Sequence, residues 1–103
     1  MPKFYVTWTF EPAGRAPEAP FEYLLHPNPG RQPARYGNAV VEAGNRKEAW
    51  ATVSAVFPQA RRDLVEPASG VYLRYYEHAK RQRGVETVKP EAAFALHGCG
   101  RAG

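Results

Sequence analysis

The chain predicts an α+β fold: a small single domain in which an antiparallel sheet of three to five strands carries one main helix packed on one face, followed by a second, C-terminal helix. Three observations predict it. Phe4–Phe10 alternates, with Phe4, Val6, Trp8 and Phe10 on one side and Tyr5, Thr7 and Thr9 on the other, which is the period of a strand with at least one buried face. Asn38–Glu66 reads as a strand, a capped helix closed by a proline, and a second strand. Finally, 44% apolar and 13% aromatic residues in 103 positions fill one core without disulfides or a metal.

After the leading strand, residues 11–37 hold six of the ten prolines together with Gly14, Gly30 and Gly37. Proline fixes φ and removes a backbone donor, so this stretch reads as a proline-rich arm or loop. Within it only Phe21–His26 is able to pair, as a short edge strand with Phe21, Tyr23 and Leu25 on one side. Leaving Phe21, Tyr23, Leu24 and Leu25 in water is costly, so the middle of the arm is expected to dock on the body or on a partner. Val40 and Val41 then form a strand before Gly44. Asn45 stands at the spacing from Glu48 of an N-cap and a carboxylate that reaches back to it. From there Ala49, Trp50, Val53, Val56 and Phe57 recur at helical spacing, and Pro58 ends the helix.

Asp63–Val65 makes a short strand closed by Glu66-Pro67. Ser69–Arg83 has two readings. As a helix capped by Ser69 it places Tyr72, Tyr75, Tyr76 and Ala79 on one face and Arg74, His78 and Arg81 on the other; as a strand, Val71–Tyr76 has the better local propensity. Gly84, as a helix stop, decides for the helix. Val85–Val88 reads as a short strand, Pro90 opens a short helix through Phe94 and Leu96 that Gly98 closes, and residues 99–103 form a flexible tail. The domain is therefore expected to span 1–98.

A single cysteine, Cys99, excludes an internal disulfide framework and fits a reducing compartment. The N-terminal Met1-Pro2-Lys3 followed by an alternating strand lacks the pattern of a signal peptide, and nothing approaches the ~18 unbroken apolar residues of a membrane span. The expectation is a cytoplasmic protein with no membrane partner.

Chemistry is sparse. His26, His78 and His97 lie on three different elements, and His97-Gly98-Cys99 offers two ligands where a zinc site needs four. Cys99, between two glycines, lacks the fixed geometry of a nucleophile. No Walker-type or dinucleotide fingerprint is present. The acidic residues are scattered singly, and Glu48 already serves the cap. No catalytic residue, metal or cofactor is assigned. A metal-free nuclease built from His26 or His78 with Arg and Tyr residues is the third functional reading.

Charge says more. The net charge is +4, and from Arg74 to Lys89 five basic residues (Arg74, Lys80, Arg81, Arg83, Lys89) face two acidic ones, Glu77 and Glu86; Arg61 and Arg62 add a basic pair. Such a field attracts polyanions or an acidic protein surface, although a solvated basic face is the plain alternative. Tyr and Arg anchor protein interfaces, and together they also stack on bases and neutralise phosphates. The candidate partner-binding residues are thus Arg61, Arg62, Arg74, His78, Lys80, Arg81 and Arg83, joined by Arg31, Arg35 and Tyr36 from the arm.

The leading strand Phe4–Phe10 and the strand–helix–strand unit through Glu48-Ala49-Trp50 and Phe57-Pro58-Gln59-Ala60, about a third of the chain, resemble the small single-domain proteins encoded by phages and mobile genetic elements, including the anti-CRISPR inhibitors. That resemblance implies a mode of action: a small rigid body that occludes a host protein or nucleoprotein complex. It carries over no functional residue, since those inhibitors share no motif, and the basic exterior departs from acidic nucleic-acid mimicry. The expectation is a non-enzymatic binding module and inhibitor, a monomer or a homodimer through Phe4–Phe10 or the arm, with a nucleic-acid-binding protein using the Arg74–Lys89 surface as the alternative.

Overall fold

In the computed structural model, which describes residues 1–11, 16–27 and 34–90, the leading strand β1 (Lys3–Phe10) lies inside the sheet rather than at its rim. It pairs antiparallel with β3 (Arg35–Glu42) on one side and β4 (Arg61–Pro67) on the other. β2 (Tyr23–Pro27) pairs with β3 and with β5 (Glu86–Val88), giving the order β4-β1-β3-β2-β5 with every ladder antiparallel. The helices are α1 (Arg46–Val56) and α2 (Gly70–Lys80). Among the described residues this is a five-stranded sheet with two helices, the α+β class expected.

The alternation of β1 holds, and both of its faces are covered. Phe4, Val6, Trp8 and Phe10 share one core with Tyr23, Leu25, Ala39, Val41 and Val65 of the neighbouring strands and with Ala49, Val53 and Phe57 from α1 and its end. On the reverse face Tyr5 and Leu24 pack with Tyr76 of α2, flanked by Val40, Tyr72, Ala79 and Val85. α1 and α2 thus cover opposite faces of the sheet.

That arrangement corrects the reading of Phe21–His26 as an edge strand. β2 is interior, paired on both sides, and Tyr23, Leu24 and Leu25 are buried in succession. A strand covered on both faces reads as a continuous apolar run, and that run was visible in the sequence. Arg35, Tyr36 and Gly37 also belong to β3 and not to the loop. Gly37 is required there, because a Cβ at this position would overlap the indole of Trp8, which lies against its backbone from the adjacent strand. With β1 flanked on both sides, its edge is not free to pair with a second copy.

α1 starts as predicted: the Glu48 backbone N–H donates to Asn45 Oδ1 at 2.9 Å. The Glu48 carboxylate reaches one residue further than expected, accepting from the Gly44 backbone N–H at 2.8 Å. Phe57 is the C-cap, so Pro58 ends the helix as the sequence required. At the edge strand β4, Thr7 sits opposite a bulge. Its Oγ1 donates to Asp63 Oδ2 at 2.9 Å and accepts from the Leu64 N–H at 3.0 Å, absorbing the extra residue. Arg46 Nε donates to the Val65 carbonyl at 3.1 Å and its Nη2 meets Glu66 at 3.1 Å, so part of this strand is already engaged within the chain.

α2 is a helix, as Gly84 argued, but Gly84 acts elsewhere. The helix ends at Lys80 with Arg81 as C-cap, and Gly84, at φ +86°, makes the turn that leads into β5. Ser69 is the N-cap without a side-chain hydrogen bond. No helix among the described residues is long and apolar enough to cross a membrane. The predicted helix from Pro90 to Gly98, the 99–103 tail, His97 and Cys99 lie outside the described residues.

Candidate interaction surface

Helical spacing decides which side of α2 meets the sheet. Tyr72, Tyr76 and Ala79 fall on one stripe and dock on Tyr5, Leu24, Val40 and Val85. Tyr72 stacks on Tyr5 with ring centroids 5.3 Å apart. Tyr76 donates through its hydroxyl to Glu22 Oε1 at 2.8 Å, and Lys80 Nζ meets the same oxygen at 3.1 Å. Burial pushes the Glu22 carboxyl up, but the hydrogen bonds from Tyr76 and Lys80 and the charges of Lys80 and Lys89 outweigh it, so the group sits below its ordinary value. Burial, then the bond to Glu22, holds the Tyr76 hydroxyl well above its ordinary value. Lys80, a predicted contact residue, is thus spent inside the fold.

Tyr75 departs from the expected buried face. It stands on the flank of the stripe, meets Tyr72 edge-on at 5.8 Å, and is 57% exposed. Val71 (46%) and Leu73 (40%) are exposed on the same helix. Between them, turned away from the sheet, Arg74, His78 and Arg81 line an open groove of about 650 Å³ together with Leu73, Tyr75 and Glu77. Lys80 lies 3.9 Å from Glu77, the acidic member of this lining. The Gln82 side-chain amide donates to His78 Nε2 at 2.7 Å, so that ring nitrogen acts as an acceptor. Arg83 is exposed in the turn just beyond. The structure therefore brings Arg74, His78 and Arg81 together and leaves apolar and aromatic side chains among them.

The remaining predicted residues gather at the other end of the sheet or not at all. Register places Arg61 of β4, Thr9 of β1, Tyr36 of β3 and His26 of β2 in one cross-strand row. A depression of about 520 Å³ opens there, lined among the described residues by Thr9, Phe10, Glu11, Ala34, Tyr36, Gln59 and Arg61. Arg62 alternates to the opposite face, beside Trp8, and Arg35 pairs with Glu86 at 3.8 Å. Arg31 lies outside the described residues. His26 accepts at Nε2 from the buried Asn38 side-chain amide at 2.7 Å, and burial pushes its pKa down, which fits a neutral ring.

Sequence reasoning missed Leu73, Val71, Thr9 and Gln59. The exposure of Leu73 was readable from its offset of one position from the Tyr72 stripe. The Thr9–Tyr36–Arg61 row depends on strand register, for which the sequence held no local signal. Among the described residues no three His, Cys, Asp or Glu side chains converge as a metal would need. No protein-family model, curated protein or solved structure matches the chain.

Proposed function

We propose that this protein is a non-enzymatic binding module that acts in the cytoplasm as an inhibitor of the anti-CRISPR kind, blocking a host protein or nucleoprotein complex through the outer face of α2. The observation that carries this reading is the composition of that face: Val71, Leu73 and Tyr75 exposed on one eleven-residue helix, with Arg74, His78 and Arg81 between them. The Tyr75 ring, more than half exposed, contributes to the fold only through its edge contact with Tyr72, so most of its apolar surface is left for a partner. Tyr and Arg are the residues that anchor protein interfaces once water is excluded around them. The positive charge selects an acidic partner surface and speeds the encounter.

The alternative reading, sequence-independent nucleic-acid binding, separates from it by salt. Phosphate contacts give affinity that falls steeply with salt for any DNA or RNA. An apolar and aromatic interface holds its partner at high salt and discriminates among partners. The test is affinity capture with the wild-type chain and with the R74E/R81E double variant, alongside electrophoretic shifts on random duplex and single-stranded oligonucleotides. A defined partner retained at high salt by the wild type and lost by the double variant is the expected result. Retention of that partner by the double variant excludes this face, and a salt-sensitive shift of every oligonucleotide without a protein partner replaces the reading by the nucleic-acid one.

A further inference from the structure

The depression at the far end of the sheet is independent of α2 and has its own chemistry. Its floor is a row across adjacent strands: Thr9 on β1 is the register partner of both Tyr36 on β3 and Arg61 on β4. Tyr36 is 43% exposed, an aromatic ring standing on the sheet where the helix layer does not reach, since the α2-side cluster gathers around Tyr5, Leu24 and Tyr76. Arg61 forms no ion pair with the described residues, in contrast to Arg35 and Arg46. Gln59 and Glu11 complete the rim with an amide and a carboxylate. The volume of about 520 Å³ falls in the range of small-ligand sites.

We infer that this depression binds a nucleotide, as a free mononucleotide or as the end of a single strand. The base stacks on Tyr36, as aromatic side chains on open sheets accept bases of any sequence. Strands lie about 4.8 Å apart, so Arg61, two strands from Tyr36, stands about 10 Å away along the row, and its long side chain meets the 5′-phosphate of a base seated on that ring as a bidentate donor. The Thr9 hydroxyl lies between them, and the Gln59 amide is a further polar group of the lining. Glu11 sets the class of ligand: a carboxylate in the same lining repels a bare polyanion but accepts hydrogen bonds from the exocyclic amino groups of a base. A ligand that carries both an anion and N–H donors on a flat ring matches the lining, whereas inorganic phosphate matches only half of it.

The experiment is a titration of the ¹⁵N-labelled protein, read from backbone amide shifts, with adenosine 5′-monophosphate, adenosine, inorganic phosphate and a short single-stranded oligoadenylate. Saturable shifts at Thr9, Tyr36, Gln59 and Arg61 with the mononucleotide are expected, weakened at least tenfold by Tyr36→Ala and by Arg61→Ala and restored by Tyr36→Phe, which keeps the ring. Adenosine and phosphate alone bind more weakly than the nucleotide. Tighter binding of the oligonucleotide on the same amides identifies the end of a strand as the ligand, and equal binding identifies the mononucleotide. No shift in this row at millimolar nucleotide or oligonucleotide, or shifts insensitive to Tyr36→Ala, overturns the inference. Tyr36 and Arg61 are both exposed, so these variants fold. Because R74E/R81E leaves this row untouched, failure here is distinguishable from failure of the α2 surface.

Discussion

On the α1 side of the sheet, Trp8, Phe10 and Tyr23 surround Phe57, each ring centroid 5.0 Å from it, and the contact is almost wholly apolar. On the α2 side the apolar contact shrinks to Tyr5, Leu24 and Tyr76, and a polar cluster of Tyr76, Lys80 and Glu22 joins the helix to the chain just before β2. The caps differ in the same way: Asn45 holds the first turn of α1 with its side chain, while Ser69 of α2 does not. The two helices thus divide the work. α1 provides the buried mass that makes the fold stable, and α2, held by fewer contacts, keeps Tyr72, Tyr76 and Lys80 against the sheet while Arg74, Tyr75 and His78 face solvent.

The contrast is broken most directly at the α1 core. Trp8→Ala removes the largest fully buried side chain and is expected to cost about 3–5 kcal/mol, read as a drop in the denaturant midpoint at unchanged slope. A loss near 1 kcal/mol would mean that this side is no more decisive than the other.

At the α2 side, Tyr76→Phe removes one donor to a partly buried carboxylate and is expected to cost about 1–2 kcal/mol. Acid sharpens the comparison. Glu22 has a folded pKa below its ordinary 4.5, so its stabilisation is complete above that value and is lost as pH falls from 4.5 through the lower folded value. His26, held neutral by burial with its pKa below the ordinary 6.5, also disfavours the fold as pH falls from 6.5, because the unfolded ring takes up its proton first. Glu22→Gln is expected to flatten the lower part of the acid unfolding curve and His26→Gln the upper part. Neither variant should change the slope at alkaline pH.

The capping contrast is a smaller effect. Asn45→Ala is expected to cost about 1 kcal/mol, whereas Ser69→Ala stays within about 0.5 kcal/mol, because only the first removes a side-chain bond to an orphan N–H. Equal losses at the two caps would show that Ser69 is engaged in solution.

How much of this was legible follows the range of the forces. The cap at Asn45, the stop at Pro58 and the period of Phe4–Phe10 are local signals, and the structure kept each of them. The interior place of β2 was hidden because two-sided burial depends on β5 and on α2, both distant in sequence; the run Tyr23-Leu24-Leu25 carried the hint. Lys80 read as a free charge because its partner, Glu22, precedes it by most of the chain. The same holds for the Tyr36–Thr9–Arg61 row, assembled by three strands whose register the flanking residues do not announce. Arg74, His78 and Arg81 were placed together by the helical period alone.

The smallest effect on stability should accompany the largest effect on binding. Arg74 and Arg81 project from the outer face of α2 and contact none of the groups that fix the helix, since the bonds to Glu22 come from Tyr76 and Lys80. Reversing both to Glu is therefore expected to move stability by about 0.5 kcal/mol or less, a shift that thermal unfolding resolves. In the proposed interface the same reversal sets two carboxylates against the acidic surface proposed for the partner, and like charges across an interface cost several kcal/mol, so partner capture should fail. Tyr75→Ala separates charge from contact area: it leaves the field intact and removes the flanking ring, so it should slow association little and speed dissociation more. If R74E/R81E instead unfolded the protein as Trp8→Ala does, α2 would be a structural helix like α1, and the division between the two faces would fall.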